Sequence, residues 1–169
     1  LVSERTHSMS QEPKLREQVV QLLHQSGAHR SPDYVLHRVP EEARGTRPPS
    51  LPHSPWELLE HLRIAQRDIL EFSRDPGHES PDWPAGYWPG DVAPPFLDSW
   101  DESLAGFMAD LDEMAELVRD PERDLFAPFP WGDGQTLLRE ALLVADHNAY
   151  HLGQMVDVRR SLGVWPPAD

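Results

Sequence analysis

The stretch LLREALLVADHNAYHLGQMVDVRRSLG, residues 137–163, decides how this chain folds. Its apolar positions recur at three and four, the spacing of one helical face. Leu143, His147, His151, Gln154 and Val158 follow one another at four, four, three and four, so two imidazoles stand on the stripe that should turn toward a core. Gly163 is placed to cap the helix, and Arg159 and Arg160 put positive charge in its last turns, where the helix dipole favours it. Such a face needs other helices to cover it.

The chain offers three more. From Pro13, PKLREQVVQLLHQSG sets Leu15, Val19, Leu22 and Leu23 on one side, and Gly27 can end that helix. Ser54, Pro55 and Glu57 supply an N-cap, a proline at the first helical position and an early acid. They open a helix to about Arg74 with Leu58, Leu62, Ala65, Ile69 and Phe72 as its buried stripe. FLDSWDESLAGFMADLDEMAELVRD repeats Leu97, Trp100, Leu104, Phe107, Leu111, Met114 and Val118 at three and four, and Pro121 stops it. Its acidic positions Asp110, Asp112, Glu113 and Glu116 read as a solvated face.

The connections are long. SPDYVLHRVPEEARGTRPPSLPH carries five prolines, with room for one or two short helical turns near residues 32–44. DPGHESPDWPAGYWPGDVAPP, residues 75–95, reads as a loop packed by its own aromatics; Trp83, Tyr87 and Trp88 are packing anchors first and cover for a pocket mouth second. No segment alternates with period two. The expected fold is all-α, a four-helix bundle with long loop connections. Residues 11–169 form its single domain; residues 1–10 are expected to be disordered, with Met9 as a native start behind an expression remnant.

Composition narrows the function. The 169 residues hold 15 basic and 29 acidic side chains, a net charge of −14, which repels nucleic-acid backbones and anionic membranes. No run is long enough to span a bilayer and the opening residues lack a signal peptide's apolar core, so a cytoplasmic protein is expected. With no cysteine, disulfides, zinc ribbons and a cysteine nucleophile are excluded; a transition-metal site must use the nine histidines or carboxylates.

His147 and His151, four apart on a helix, can aim two nitrogens at one ion. Two buried imidazoles can equally be hydrogen-bonded core residues. A metal needs a third ligand from another helix. His61 is the best placed, in line with Leu58, Ala65, Asp68 and Phe72 on the second helix. His7, His24, His29, His37, His53 and His78 fall in termini, helix ends, a cap or loops. Asp146 and Gln154 could orient the rings, as could Asp68, or be ordinary surface residues.

Together SPWELLEHLRIAQRDILEF and, some 85 residues later, ALLVADHNAYHLGQMVDVRRSLG resemble the DinB-like superfamily, the DinB/YfiT-like metalloenzymes. The resemblance runs from about residue 12 to 165, and HxxYHxGQ is its most specific element. It implies a four-helix bundle holding one divalent transition metal (Zn, Ni, Fe, Co or Mn) through His61, His147 and His151. Members with known activity are thiol transferases using bacillithiol, mycothiol or glutathione, and a maleylpyruvate isomerase is related; dimers are common. The expectation is therefore a metal-dependent thiol S-transferase of stress response or detoxification, taking a small-molecule thiol and an electrophile, as a homodimer. The alternatives are a metal-dependent hydrolase and a non-catalytic metal- or ligand-binding protein.

Overall fold

The computed structural model describes residues 2–24 and 27–167, with side chains from Gln11 onward. Among the described residues six α-helices follow one another: α1 Val2–Leu23, α2 Pro32–Leu36, α3 Glu41–Arg44, α4 Pro55–Phe72, α5 Ser99–Arg119 and α6 Leu137–Ser161. No strand occurs among the described residues. The two short helices fall where the proline-rich connection left room for them. The disorder expected over residues 1–10 concerns positions whose side chains lie outside the described residues, although α1 is drawn from Val2.

Local chemistry sets the helix ends. Ser54 Oγ accepts from the Glu57 amide at 3.2 Å while Glu57 returns a carboxylate to the Ser54 amide at 2.8 Å, a reciprocal cap that starts α4. Thr136 Oγ1 caps α6 by accepting from the Arg139 amide. α5 begins at Ser99 rather than near Phe96, because Ser99 Oγ accepts the Phe96 amide at 3.2 Å in a turn that holds Phe96–Asp98 outside the helix. Leu97, expected on the buried stripe, is consequently 77% exposed.

α1 and α4 each pack against both α5 and α6, so they stand at opposite corners of a four-helix arrangement; α2 leans on α6 and α3 on α4. On α1 the buried line is Arg16, Val19, Val20 and Leu23, which turns Leu22 outward, contrary to the sequence expectation. The interior falls into two apolar clusters. One joins Val19, Leu23, Leu70, Leu111, Met114, Val118, Ala141 and Val144. The other joins Val35, Leu36, Trp56, Leu58, Leu62, Trp100, Phe107, Leu152 and Met155.

Between them runs a polar layer. Asn148 Nδ2 donates to Gln66 Oε1 at 2.8 Å, and Gln66 Nε2 donates to the Phe107 carbonyl at 2.6 Å, linking α6, α4 and α5. Asp110 belongs to this level too: it is buried and accepts from Arg67 at 2.7 Å, so the acidic face of α5 is not wholly solvated. His147 and His151 flank Asn148 on α6, and His61 stands five residues before Gln66 on α4.

Two buried arginines tie loops to the bundle. Arg16 donates to the carbonyls of Val118, Asp120 and Arg123, closing the C-terminal end of α5 where unpaired carbonyls collect. Arg159, fully buried, donates to Val35 O at 2.6 Å, His37 O at 3.2 Å and Arg38 O at 3.3 Å, and to Val164 O. It fastens the α2 segment to α6. Arg159→Ala leaves these carbonyls without a donor and should lower the unfolding free energy by roughly 2–4 kcal/mol in urea titration. A loss below about 1 kcal/mol would mean that water replaces the guanidinium there.

Candidate metal centre

His61 enters the second turn of α4, and His147 and His151 project one turn apart from α6. Their Nε2 atoms converge: His61 Nε2 is 3.1 Å from His151 Nε2 and 3.1 Å from His147 Nε2. Nitrogens bound at about 2.0–2.1 Å to one ion stand about 3.0–3.4 Å apart, so the spacing fits a shared divalent metal. One nitrogen from each ring lies within 4.8 Å of the others.

Neighbours decide where the ring protons sit. His61 Nδ1 is 2.8 Å from the Tyr87 carbonyl, which can only accept, so Nδ1 carries the proton and Nε2 is a bare lone pair. His151 Nδ1 stands 2.7 Å from Gln154 Oε1, with the same result. Two lone pairs thus face each other. His147 Nδ1 is buried without a partner in good hydrogen-bond geometry and has Asn148 beside it, so its tautomer is held less firmly than those of the other two rings. A bare pair of this kind suits a cation.

That cation is not a proton at neutral pH. Burial first, and the neighbouring imidazoles second, push His147 and His151 down to about 4. Burial also lowers His61, with the Tyr87 carbonyl working in the opposite direction. All three rings are therefore neutral ligands near pH 7.

The loop between α4 and α5 closes over this cluster. Trp88 lies flat on His61, ring centroids 4.0 Å apart with planes 3° apart, and stacks also on His53 at 4.2 Å. Trp88 and the Tyr87 carbonyl are thus parts of the site, where the sequence ranked these aromatics as packing first. Trp83 is 82% exposed and touches Tyr87 edge-on. His53 was discounted as a residue before a cap, yet it reaches the site through Trp88. Of the candidate orienting residues, Gln154 holds His151 directly, Asp146 is exposed, and Asp68 meets Tyr87 and His78 rather than a histidine of the cluster. Tyr150 is 65% exposed with its ring edge-on to His151.

The Gln66–Asn148 pair escaped the sequence reading, though a signal was present. Gln66 falls midway between Leu62 and Leu70, and Asn148 midway between Val144 and Leu152, each a polar break in a series of fours. A groove of about 550 Å³ lined by Glu12, Arg16, Val20 and Arg119 shares no residue with the histidine cluster, and the chemistry lies with the imidazoles.

An all-α bundle with three convergent, neutral, largely buried imidazoles defines a helical protein of the metal-binding class. The family model for the DinB superfamily matches residues 27–155, well over half of the chain, and the protein belongs to that superfamily. No curated protein and no solved structure matches it.

The displaced imidazoles have a consequence for metal-free protein. The unfolded chain binds these protons near 6.5 and the folded chain only near 4, so unfolding takes up protons and stability falls as pH drops through that window. NMR titration of metal-free protein should place the His147 and His151 midpoints near 4, and the double variant His147→Gln, His151→Gln should lose stability less steeply below pH 6.5. Midpoints between 6 and 7 would show that the rings are not desolvated.

Proposed function

We propose that the protein is a metal-dependent thiol S-transferase, joining a low-molecular-weight thiol to a small electrophile. The observation that carries the metal half of this reading is the meeting of the His61 and His151 lone pairs, with His147 beside them. A divalent ion held by these three neutral imidazoles would lower the pKa of a thiol or water bound beside it, making a thiolate or hydroxide available near neutral pH.

The chain's own residues do the rest. His61, His147 and His151 would hold the ion, while Tyr87 O and Gln154 fix the ring protons away from it. Trp88 covers one face of His61 and keeps bulk water off that side of the cluster. No cysteine is present, so the attacking sulfur must come from a cosubstrate. The thiol transferases of the resembling family support S-transfer over hydrolysis. We place the reaction in the cytoplasm, where such thiols are kept reduced. The ion itself is selected by supply and affinity among Zn, Ni, Fe, Co and Mn, since an all-imidazole site discriminates among them poorly.

Elemental analysis of tag-free protein should find close to one divalent metal per chain. His61→Ala, His147→Ala and His151→Ala should each lower that content several-fold, and full metal content in all three variants would refute the centre. Loaded protein should then consume bacillithiol, mycothiol or glutathione with monochlorobimane, and lose that turnover in chelator. Bound metal with no thiol turnover would leave a binding protein or a hydrolase.

A further inference from the structure

A single loop residue fastens itself to α4 at two points. The Tyr87 carbonyl accepts the His61 Nδ1–H at 2.8 Å, and the phenol of the same residue donates to Asp68 Oδ2 at 2.7 Å. Asp68 stands seven residues beyond His61, two helical turns and about 10 Å along the same edge of the helix. Its other oxygen is 2.7 Å from His78 Nε2, so the carboxylate clasps both ends of the loop segment 78–87. Asp68 and His78 are partly covered from solvent, which strengthens these bonds relative to surface ones.

The result is complete control of one ring. Stacking on Trp88 fixes the plane of His61, and the bond from Nδ1 fixes its rotation within that plane. Both contacts come from consecutive loop residues. Elsewhere the loop is held by the 3-10 turn Ala85–Tyr87 against α4, by Trp88 on His53 and on the apolar cluster beneath it, and by Val92 O accepting from Ser54 Oγ, while Trp83 is mostly in solvent. Without the phenol anchored, the Tyr87 carbonyl would lose its brace on α4, while the indole keeps its stack on His53.

We propose that Asp68, acting through Tyr87 and braced by His78, is a positioning device for His61, so that the order of this loop and the affinity for the ion are one linked property. The inference rests on the metal-centre reading. Linkage runs both ways: the anchored loop presets the nitrogen for the ion, and bound ion stabilises the anchored loop.

The test compares full-length wild type with Tyr87→Phe, Asp68→Ala and, as a loop control, Trp83→Ala. Zinc affinity is read by competition with a chromogenic chelator, and ligand geometry by the visible absorption of the cobalt-loaded protein. Tyr87→Phe and Asp68→Ala should bind zinc about 10- to 100-fold more weakly and shift or broaden the cobalt bands. Their metal-free melting should stay close to wild type, which a merely structural role would not give. Trp83→Ala should match wild type in both readouts. Wild-type affinity and cobalt spectrum in Tyr87→Phe would overturn the proposal, as would an equal loss in Trp83→Ala. If Asp68→Ala fails to fold, Tyr87→Phe decides alone. A wild type that binds no zinc or cobalt refutes the metal centre and the strap with it, whereas zinc-binding wild type with unaffected variants refutes only the strap.

Discussion

Two nitrogen lone pairs held 3.1 Å apart inside a protein repel each other, and this structure aims them at one another deliberately. The Tyr87 carbonyl and Gln154 take up the protons that could have relieved the contact. Burial removes the other escape, because it holds the imidazoles unprotonated at neutral pH. The arrangement that is unfavourable when empty of charge is one that could hold a divalent ion. Helix placement, loop closure and the neighbouring polar groups all follow from keeping that arrangement in place.

Much of this could be read from the residues. The spacing of Leu58, Leu62 and Ala65 located α4, the Ser54–Pro55–Glu57 signal located its start, and HxxxH placed the two imidazoles on α6. Those features are legible because they depend on contacts within a few residues, where helical geometry is fixed. His61 was reachable because it shares an edge with apolar neighbours. What failed depends on distant partners. Leu22 and Leu97 fit the period of a helix but lie outside the buried face, since period alone does not say where a face turns or where a helix begins. Asp110 read as solvated because its partner Arg67 belongs to another helix. Trp88 and His53 were opaque for a plainer reason: an irregular loop has no period from which to infer facing.

The loops are held by charge as well as by the apolar contacts of Val35, Leu36 and Val39. Arg159 and Arg16 stand in the interior and donate to main-chain carbonyls, Arg16 also to the Glu12 carboxylate. Guanidinium suits the task, having five donors in one plane that can serve several acceptors at once. The proline-rich connection through α2 is thereby anchored to the helix that carries His147 and His151. A connection with only two short helices becomes part of the frame around the site.

The polar layer at mid-height also settles a question that apolar packing leaves open. Two leucine-lined helices can slide by one turn and still find leucine against leucine. Here such a slip of α4 along α6 would set Leu58 or Ala65 against the paired histidines and part Gln66 from Asn148, burying unmatched polar groups at once. The layer therefore works as a notch in a ruler. Swapping apolar residues of similar volume above and below it leaves the alignment in place, whereas removing Gln66 or Asn148 takes the notch away.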